Sequence, residues 1–233
     1  GAVAAGQYTG AASVTVRDPV TAATASAIDL AIHFGTQAGV QVVKAVNAVK
    51  PFAPTAIENA DNPATPVILP AGAMAVFTYA VSNTTNDALG AVTLVDDAGT
   101  VGNLADDFVP APVTITAGGK DYNTGDANKN GLIDKTETWL FSASRPVGEG
   151  VYTNYATVSA VNTRTNTMLR DDDPVNLFGT VARIDVQNAI NAADARRPTV
   201  GEDADNPLAP VLVNVGNAVT FTYLLANSGN GPL

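Results

Sequence analysis

The chain has 233 residues, 46% of them hydrophobic and 15% charged, enough apolar material to bury one or two cores. A net charge of −10 and a pI near 4.3 exclude a phosphate backbone as partner, since such binding runs on Lys and Arg. The absence of cysteine excludes disulfide frameworks, thiol catalysis and Cys-type zinc sites, and no apolar run approaches the ~18 residues of a membrane span.

In chain order, GQYTGAASV (Gly6–Val14) reads as strand, and the Ala-rich Ala23–Ile32 is the best candidate for a helical turn. His33, the only histidine, cannot build a triad or a multi-His metal centre and is expected to be structural. Strands are predicted over Val40–Val46, Met74–Ser82, Gly90–Asp96, Ala111–Ala117, Thr138–Ser144 and Tyr152–Val161. All are rich in Val, Thr and aromatics and are separated by Gly, Pro, Asn and Asp clusters. Without a βαβ rhythm, such a series predicts an all-β, antiparallel sandwich with little helix.

The chain also repeats itself. Shifted by 144 residues, Ile57–Leu89 falls without a gap on Gly201–Leu233, with 14 of 33 positions identical. The same shift carries Gly6–Val14 onto Gly150–Val158 and Phe34-Gly35-Thr36 onto Phe178-Gly179-Thr180. The expected organisation is the closing part of one repeat at 1–36, a complete repeat at 37–180, and the opening part of a third at 181–233.

One stretch breaks the strand pattern: GDANKNGLIDKTETW, Gly125–Trp139. Counted from Asp126, oxygen side chains fall at positions 3 (Asn128), 5 (Asn130), 9 (Asp134) and 12 (Glu137), with Gly131 at 6. This is the complete D-x-[DN]-x-[DN]-G-x5-E pattern of an EF-hand-like calcium loop. Ca²⁺ takes six to eight hard oxygens, which alternate side chains of a tightly wound loop can supply together with the Leu132 carbonyl. The metal set expected at 126–137 is therefore Asp126, Asn128, Asn130, Leu132, Asp134 and Glu137 around Ca²⁺. No amphipathic helix precedes Asp126 and a strand follows, so the loop is inserted between strands; a hydrophilic hairpin turn is the plainer alternative.

YAVSNTTNDALGAVTLVDD, GDANKNGLIDKTETWLFSAS, GVYTNYATVSAVN and DDDPVNLFG resemble the Ig-like tandem repeat of large bacterial and archaeal surface proteins. The likeness covers nearly all of Val40–Thr180; Thr84-Thr85 departs from the family's usual Thr-Gly. It implies an Ig-like β-sandwich, export to the cell surface, and a structural role in adhesin stalks, envelope layers or fibres.

Other features carry less. Asp96, Asp97, Asp106, Asp107 and Asp121 could add a ligand, but read more simply as solvated loop acids. Glu58, Asp61, Asp171, Asp172, Asp173, Glu202, Asp203 and Asp205 lie near repeat junctions, where calcium can stiffen an array. Trp139 is expected as a core anchor, and the sequon at Asn83-Thr84-Thr85 as a strand-end asparagine. No nucleophile–base pair is recognisable, so no enzymatic activity is expected. The reading is a calcium-stabilised building block of an exported surface or filament protein, joined to neighbouring repeats or identical subunits end to end, with strand donation as one route. The alternative is an adhesive module recognising a glycan or protein through the Asp97–Asn123 loop.

Overall fold

A computed structural model describes residues 6–35 and 39–233 of the chain; the expectation for the His33 side chain lies outside the described residues. The first strands are β1 (Gly6–Arg17), β2 (Thr24–Gly35) and β3 (Val40–Val46), followed by the single turn α1 (Ala56–Asn59). Then come β4 (Val67–Pro70), β5 (Met74–Asn83), β6 (Leu89–Asp96), β7 (Ala111–Pro112), β8 (Thr114–Ala117) and β9 (Lys120–Asn123). β10 (Thr138–Pro146), β11 (Gly150–Asn162), β12 (Met168–Thr180) and β13 (Ile184–Ile190) precede the turn α2 (Val200–Asp203) and β14 (Phe221–Asn227). The fold is all-β, and the strand registers described are antiparallel.

Two compact units pack separately. The first takes residues up to 67, 74–146 and 152–177; the second takes 68–73, 147–151 and 178–233. The sandwich has two four-stranded sheets, ordered β3-β5-β10-β7 and β4-β12-β11-β6; the first sheet, β6 and most of β11 and β12 belong to the first unit, and Ile68–Pro70 of β4 to the second. Alternation sets its core: β11 buries Asn154, Ala156, Val158, Ala160 and Asn162 and turns the residues between them outward. Val42, Phe77, Tyr79, Val81, Leu94, Val158 and Leu177 are buried among the core residues. Strand β3 lies at one end of its sheet order, and carboxylates from β12 satisfy two of its N–H groups: Val42 donates to Asp171 Oδ2 at 2.9 Å and Lys44 to Asp173 Oδ2 at 2.7 Å. Acids expected near a junction thus bond an edge strand.

Residues 23–32 are not helical. Thr24–Gly35 is a strand, paired along its length with β1 from Arg17↔Thr24 to Gly6↔Gly35. Ile28, Leu30 and Ile32 have the period of two that a strand requires, and the alanines around them (Ala23, Ala25, Ala27 and Ala31) disguised it. The turns α1 and α2, β4, β9 and β12 were not anticipated. Each helical turn starts on a reciprocal capping box, Thr55 with Glu58 and Thr199 with Glu202.

In the second unit, β13 pairs with β14, and short segments bond around them: Gly72 N–H to Val147 O at 2.8 Å, and Asn230 Nδ2 to Gly179 O at 2.9 Å. Local structure recurs at the 144-residue offset. β1 repeats all but the last residue of β11, β13 repeats β3, α2 repeats α1, and Ala60 and Ala204 close the two helical turns at φ 51°. The recurring strands differ in cover. Tyr79 is fully buried whereas Tyr223 is 64% exposed, and Val158 is fully buried whereas Val14 is 58% exposed.

Candidate metal-binding loop and a buried polar cluster

Two elements hold the Asp126–Glu137 loop. Upstream, Asn123 ends β9; its Nδ2 donates to Leu140 O at 2.8 Å and its Oδ1 accepts from Leu140 N at 2.9 Å. Gly125 then passes so close to β10 that a Cβ would sit 1.7 Å from the Thr138 carbonyl oxygen. Within the loop, fully buried Ile133 exchanges backbone hydrogen bonds with Leu89 at 2.8 and 3.0 Å, tying the loop to β6. Asn83 Nδ2 also donates to Ile133 O at 2.7 Å.

The structure brings all the predicted positions into one ring of hydrogen bonds. Asp126 is 2% exposed, and its carboxylate accepts from Asn130 N–H at 3.2 Å and Gly131 N–H at 2.9 Å. Asn128 and Asn130 donate their Nδ2 groups to Asp134 Oδ2 at 2.6 and 2.8 Å. Their Oδ1 atoms accept from Asn130 N–H and Leu132 N–H in successive Asx turns. Glu137, 9% exposed, spans the loop, with Oε1 accepting from Ala127 N–H at 2.9 Å and Oε2 from Asp134 N–H at 3.0 Å. Gly131 at φ +79° supplies the left-handed residue the winding needs.

The donor set suits a hard cation. It consists of oxygens only, from three carboxylates, two carboxamides and a carbonyl. Among the described residues, Asp126, Asp134 and Glu137 have no ion-pair partner, and the Leu132 carbonyl accepts no hydrogen bond. The three carboxylates are bonded by amide groups, and Lys129 and Lys135 of the same stretch form no ion pair with them. Among the described residues no group of three or more His, Cys, Asp or Glu side chains is placed to hold an ion by itself, so a cation here would depend on the asparagines and the carbonyl.

The other acids are bonded to groups around them. Asp97 Oδ1 accepts from Gly99 and Tyr155 N–H, Asp106 from Thr100, Asp121 from Thr116, and Asp61 from Asn59. Trp139 is half-buried, with its Nε1 buried and lacking a partner. Asn83 is 6% exposed and its Nδ2 is committed to Asp87 O and Ile133 O, so in the folded chain it is a strand-end clamp and not an accessible sequon.

A second polar cluster escaped the sequence reading. Lys44, at an inward position of β3, is fully buried, with Nζ 2.8 Å from the equally buried Asp96 Oδ2 and 2.9 Å from the Asn154 backbone oxygen. Tyr79, opposite Lys44 in register, donates its hydroxyl to the same Asp96 oxygen. Burial pulls the Lys44 amine down to about 8 against the opposing pull of Asp96, and burial beside Asp96 drives the Tyr79 phenol up. The signal was present: Val40, Val42, Lys44 and Val46 share one face of the strand, so the lysine had to point inward.

These features define an antiparallel β-sandwich with an oxygen-rich loop between β9 and β10. Neither family models nor curated proteins match the chain. Among solved structures it is similar to the major pilin subunit BcpA of Bacillus cereus, with a TM-score of 0.36 and 9% identity, covering 93% of this chain and 60% of that one. It is similar to the full-length major pilin SpaD of Corynebacterium diphtheriae, with a TM-score of 0.35 and 12% identity over 82% of this chain and 50% of that one. Domains D2 and D3 of the same pilin give a TM-score of 0.34 and 11% identity over 81% and 74%. At these scores the likenesses bear no weight, and function is read from the site.

Proposed function

We propose that the chain is a structural segment of an exported surface or filament protein, in which repeat units of 144 residues are strung end to end and calcium braces the central one. The division is that of the sequence repeat, at 1–36, 37–180 and 181–233. The observation that carries calcium is the ring at Asp126–Glu137: three carboxylates without a cation, two of them buried, around an unbonded carbonyl. Ca²⁺ would be held by Asp126, Asn128, Asn130, Leu132 O, Asp134 and Glu137. Two of the ligands are neutral amides, so affinity belongs in the ~10⁻⁴–10⁻³ M range of extracellular modules.

Partners follow from the exposed faces. Ile184, Val186, Tyr223 and Leu225 of β13–β14 and Val14 of β1 are open, where the corresponding central residues Val40, Val42, Tyr79, Val81 and Val158 bury core; Ile28 and Leu30 of β2 are open as well. Neighbouring repeats or further copies of the chain would cover them. The adhesive reading would gain from exposed aromatics on the Asp97–Asn123 loop; the exposed large apolar residues there include Val101, Leu104 and Val109, and Phe108 and Tyr122 are half-buried. Catalysis has no place in this reading.

The loop is tested with terbium, a calcium-sized ion whose luminescence an adjacent indole sensitises. Trp139 is the only tryptophan. Saturable luminescence at one ion per chain, displaced by Ca²⁺ and lost in Asp126→Ala, is expected. Luminescence that Ca²⁺ does not displace overturns the assignment.

A further inference from the structure

The buried cluster between the two sheets holds groups that neither calcium nor the structural reading uses. We propose that Lys44 and Asn154 join through an intramolecular amide bond, formed with Asp96 as the proton carrier, that covalently links β3 of one sheet to β11 of the other.

The placement comes from register. Asp96 of β6 lies opposite Ala156 of β11, so Asn154, two residues along, is its diagonal neighbour on the same inner face. Lys44 reaches this spot from the opposite sheet, its Nζ within 2.9 Å of the backbone oxygen of Asn154 itself. Independently, the side-chain Oδ1 of Asn154 is buried without a hydrogen-bond partner. A buried carboxamide oxygen is normally bonded, and leaving one orphaned is costly. An amine and an acid, Lys44 and Asp96, are paired beside this residue on the same inner face. Aromatic rings enclose the amine, Phe77 and Tyr79 having centroids 5.3 and 5.7 Å from Nζ.

The chemistry balances. A proton passes from the Lys44 ammonium to Asp96, leaving a neutral amine and a neutral acid. The lowered proton affinity of Lys44 favours that exchange. The Nζ lone pair attacks Cγ of Asn154 while Asp96 hydrogen-bonds the developing oxyanion at Oδ1. Asp96 then relays a proton from Nζ to Nδ2, the Cγ–Nδ2 bond breaks, and ammonia leaves. The products are a secondary amide, one ammonia and a protonated Asp96, with the proton count of the starting ion pair. No oxidant or co-reactant is needed. Asn154 lines a surface pocket of about 220 Å³ with Phe108, Arg145 and Tyr152, which gives ammonia an exit. The reaction also removes a buried ion pair, whose desolvation is costly.

The repeat itself shows that these strands do not demand the pair. At the 144-residue offset Asn188 stands in place of Lys44, and Gly10 in place of Asn154, yet β13 and β1 form.

Intact mass spectrometry of the purified chain decides. The account expects a mass about 17 Da below that of the sequence, for one ammonia lost. Lys44→Met, Asn154→Ala and Asp96→Ala should each restore the full mass of their own sequence. If those variants fail to fold, a denatured tryptic digest of the unmutated chain is sufficient, with no cleavage after Lys44 and a branched peptide containing Asn154. A full sequence mass with cleavage at Lys44, or a loss of about 18 Da with Asp96 as the acyl partner, overturns the proposal.

Discussion

Replacing Asn83 by Ala removes a clamp whose cost can be worked out bond by bond. Its Nδ2 donates to Asp87 O and Ile133 O, and its Oδ1 accepts from Thr85 N–H, each at 2.7 Å. Thr85 and Ile133 are 2% and 0% exposed, so water cannot substitute. Asp87 O keeps a bond from Thr85 Oγ1 and Ile133 O keeps one from Leu89 N–H, but the Thr85 N–H is left with nothing. An orphaned buried donor costs about 1–3 kcal/mol and each thinned carbonyl about 0.5–1, so Asn83→Ala should lose roughly 3 kcal/mol. For a unit of this size that lowers the Tm by roughly 10 °C. Urea denaturation should show a lower midpoint with unchanged slope. The matched control is Asn227→Ala. That residue makes the same local bonds, to Gly231 O and from Gly229 N–H, but is exposed, so the loss should stay below about 1 kcal/mol. Equal losses at the two positions, or a loss below about 1 kcal/mol at Asn83, would refute the reasoning.

Gly125→Ala should destabilise the chain by more than about 2 kcal/mol and weaken terbium binding, because the new Cβ would overlap the Thr138 carbonyl; a melt unchanged from the parent contradicts this. Leu177→Ala, at a fully buried site, should cost about 2–5 kcal/mol in the same denaturation assay. Burial, with Asp61 and Asp171 nearby, raises the Asp173 carboxyl to about 6 from 3.8. Its proton is therefore held more tightly folded than unfolded, and its stabilising contribution is full below 3.8 and lost as pH rises through about 6. Asp173→Asn keeps an acceptor for Lys44 N–H, so it should be more stable than the parent at pH 7 and lack this dependence. A pH profile identical to the parent's would count against it. On light scattering after size exclusion the chain should associate through its exposed hairpins; a monomer with both hairpins protected from protease contradicts that.

Most strands with β-branched alternation were legible to within a residue or two: Val40–Val46 was placed at its observed bounds, and Met74–Ser82 falls one residue short. The single strand expected at Ala111–Ala117 is instead two, β7 beside β10 and β8 beside β9, because the chain changes sheets at Val113. Alanine defeated the pattern at Thr24–Gly35, because a residue that suits a helix also fits a strand face, and only pairing with β1 decides. Strand β12 was hidden by Asp171-Asp172-Asp173, which looks like a solvated run but alternates, turning Asp171 and Asp173 toward the edge of β3. The tight winding of Asp126–Glu137 was legible because its hydrogen bonds are local. The Lys44–Asp96–Asn154 cluster was not, since it joins three strands from two sheets and exists only once they pack.

Thermal melts of the chain in ~1 mM Ca²⁺ and in chelator test the central claim most directly. With a Kd of ~0.1 mM, binding stabilises the folded state by about 1.4 kcal/mol, several degrees in Tm. Asp126→Ala and Glu137→Ala should each abolish the difference. Identical melts of the unmutated chain in calcium and in chelator would contradict the account.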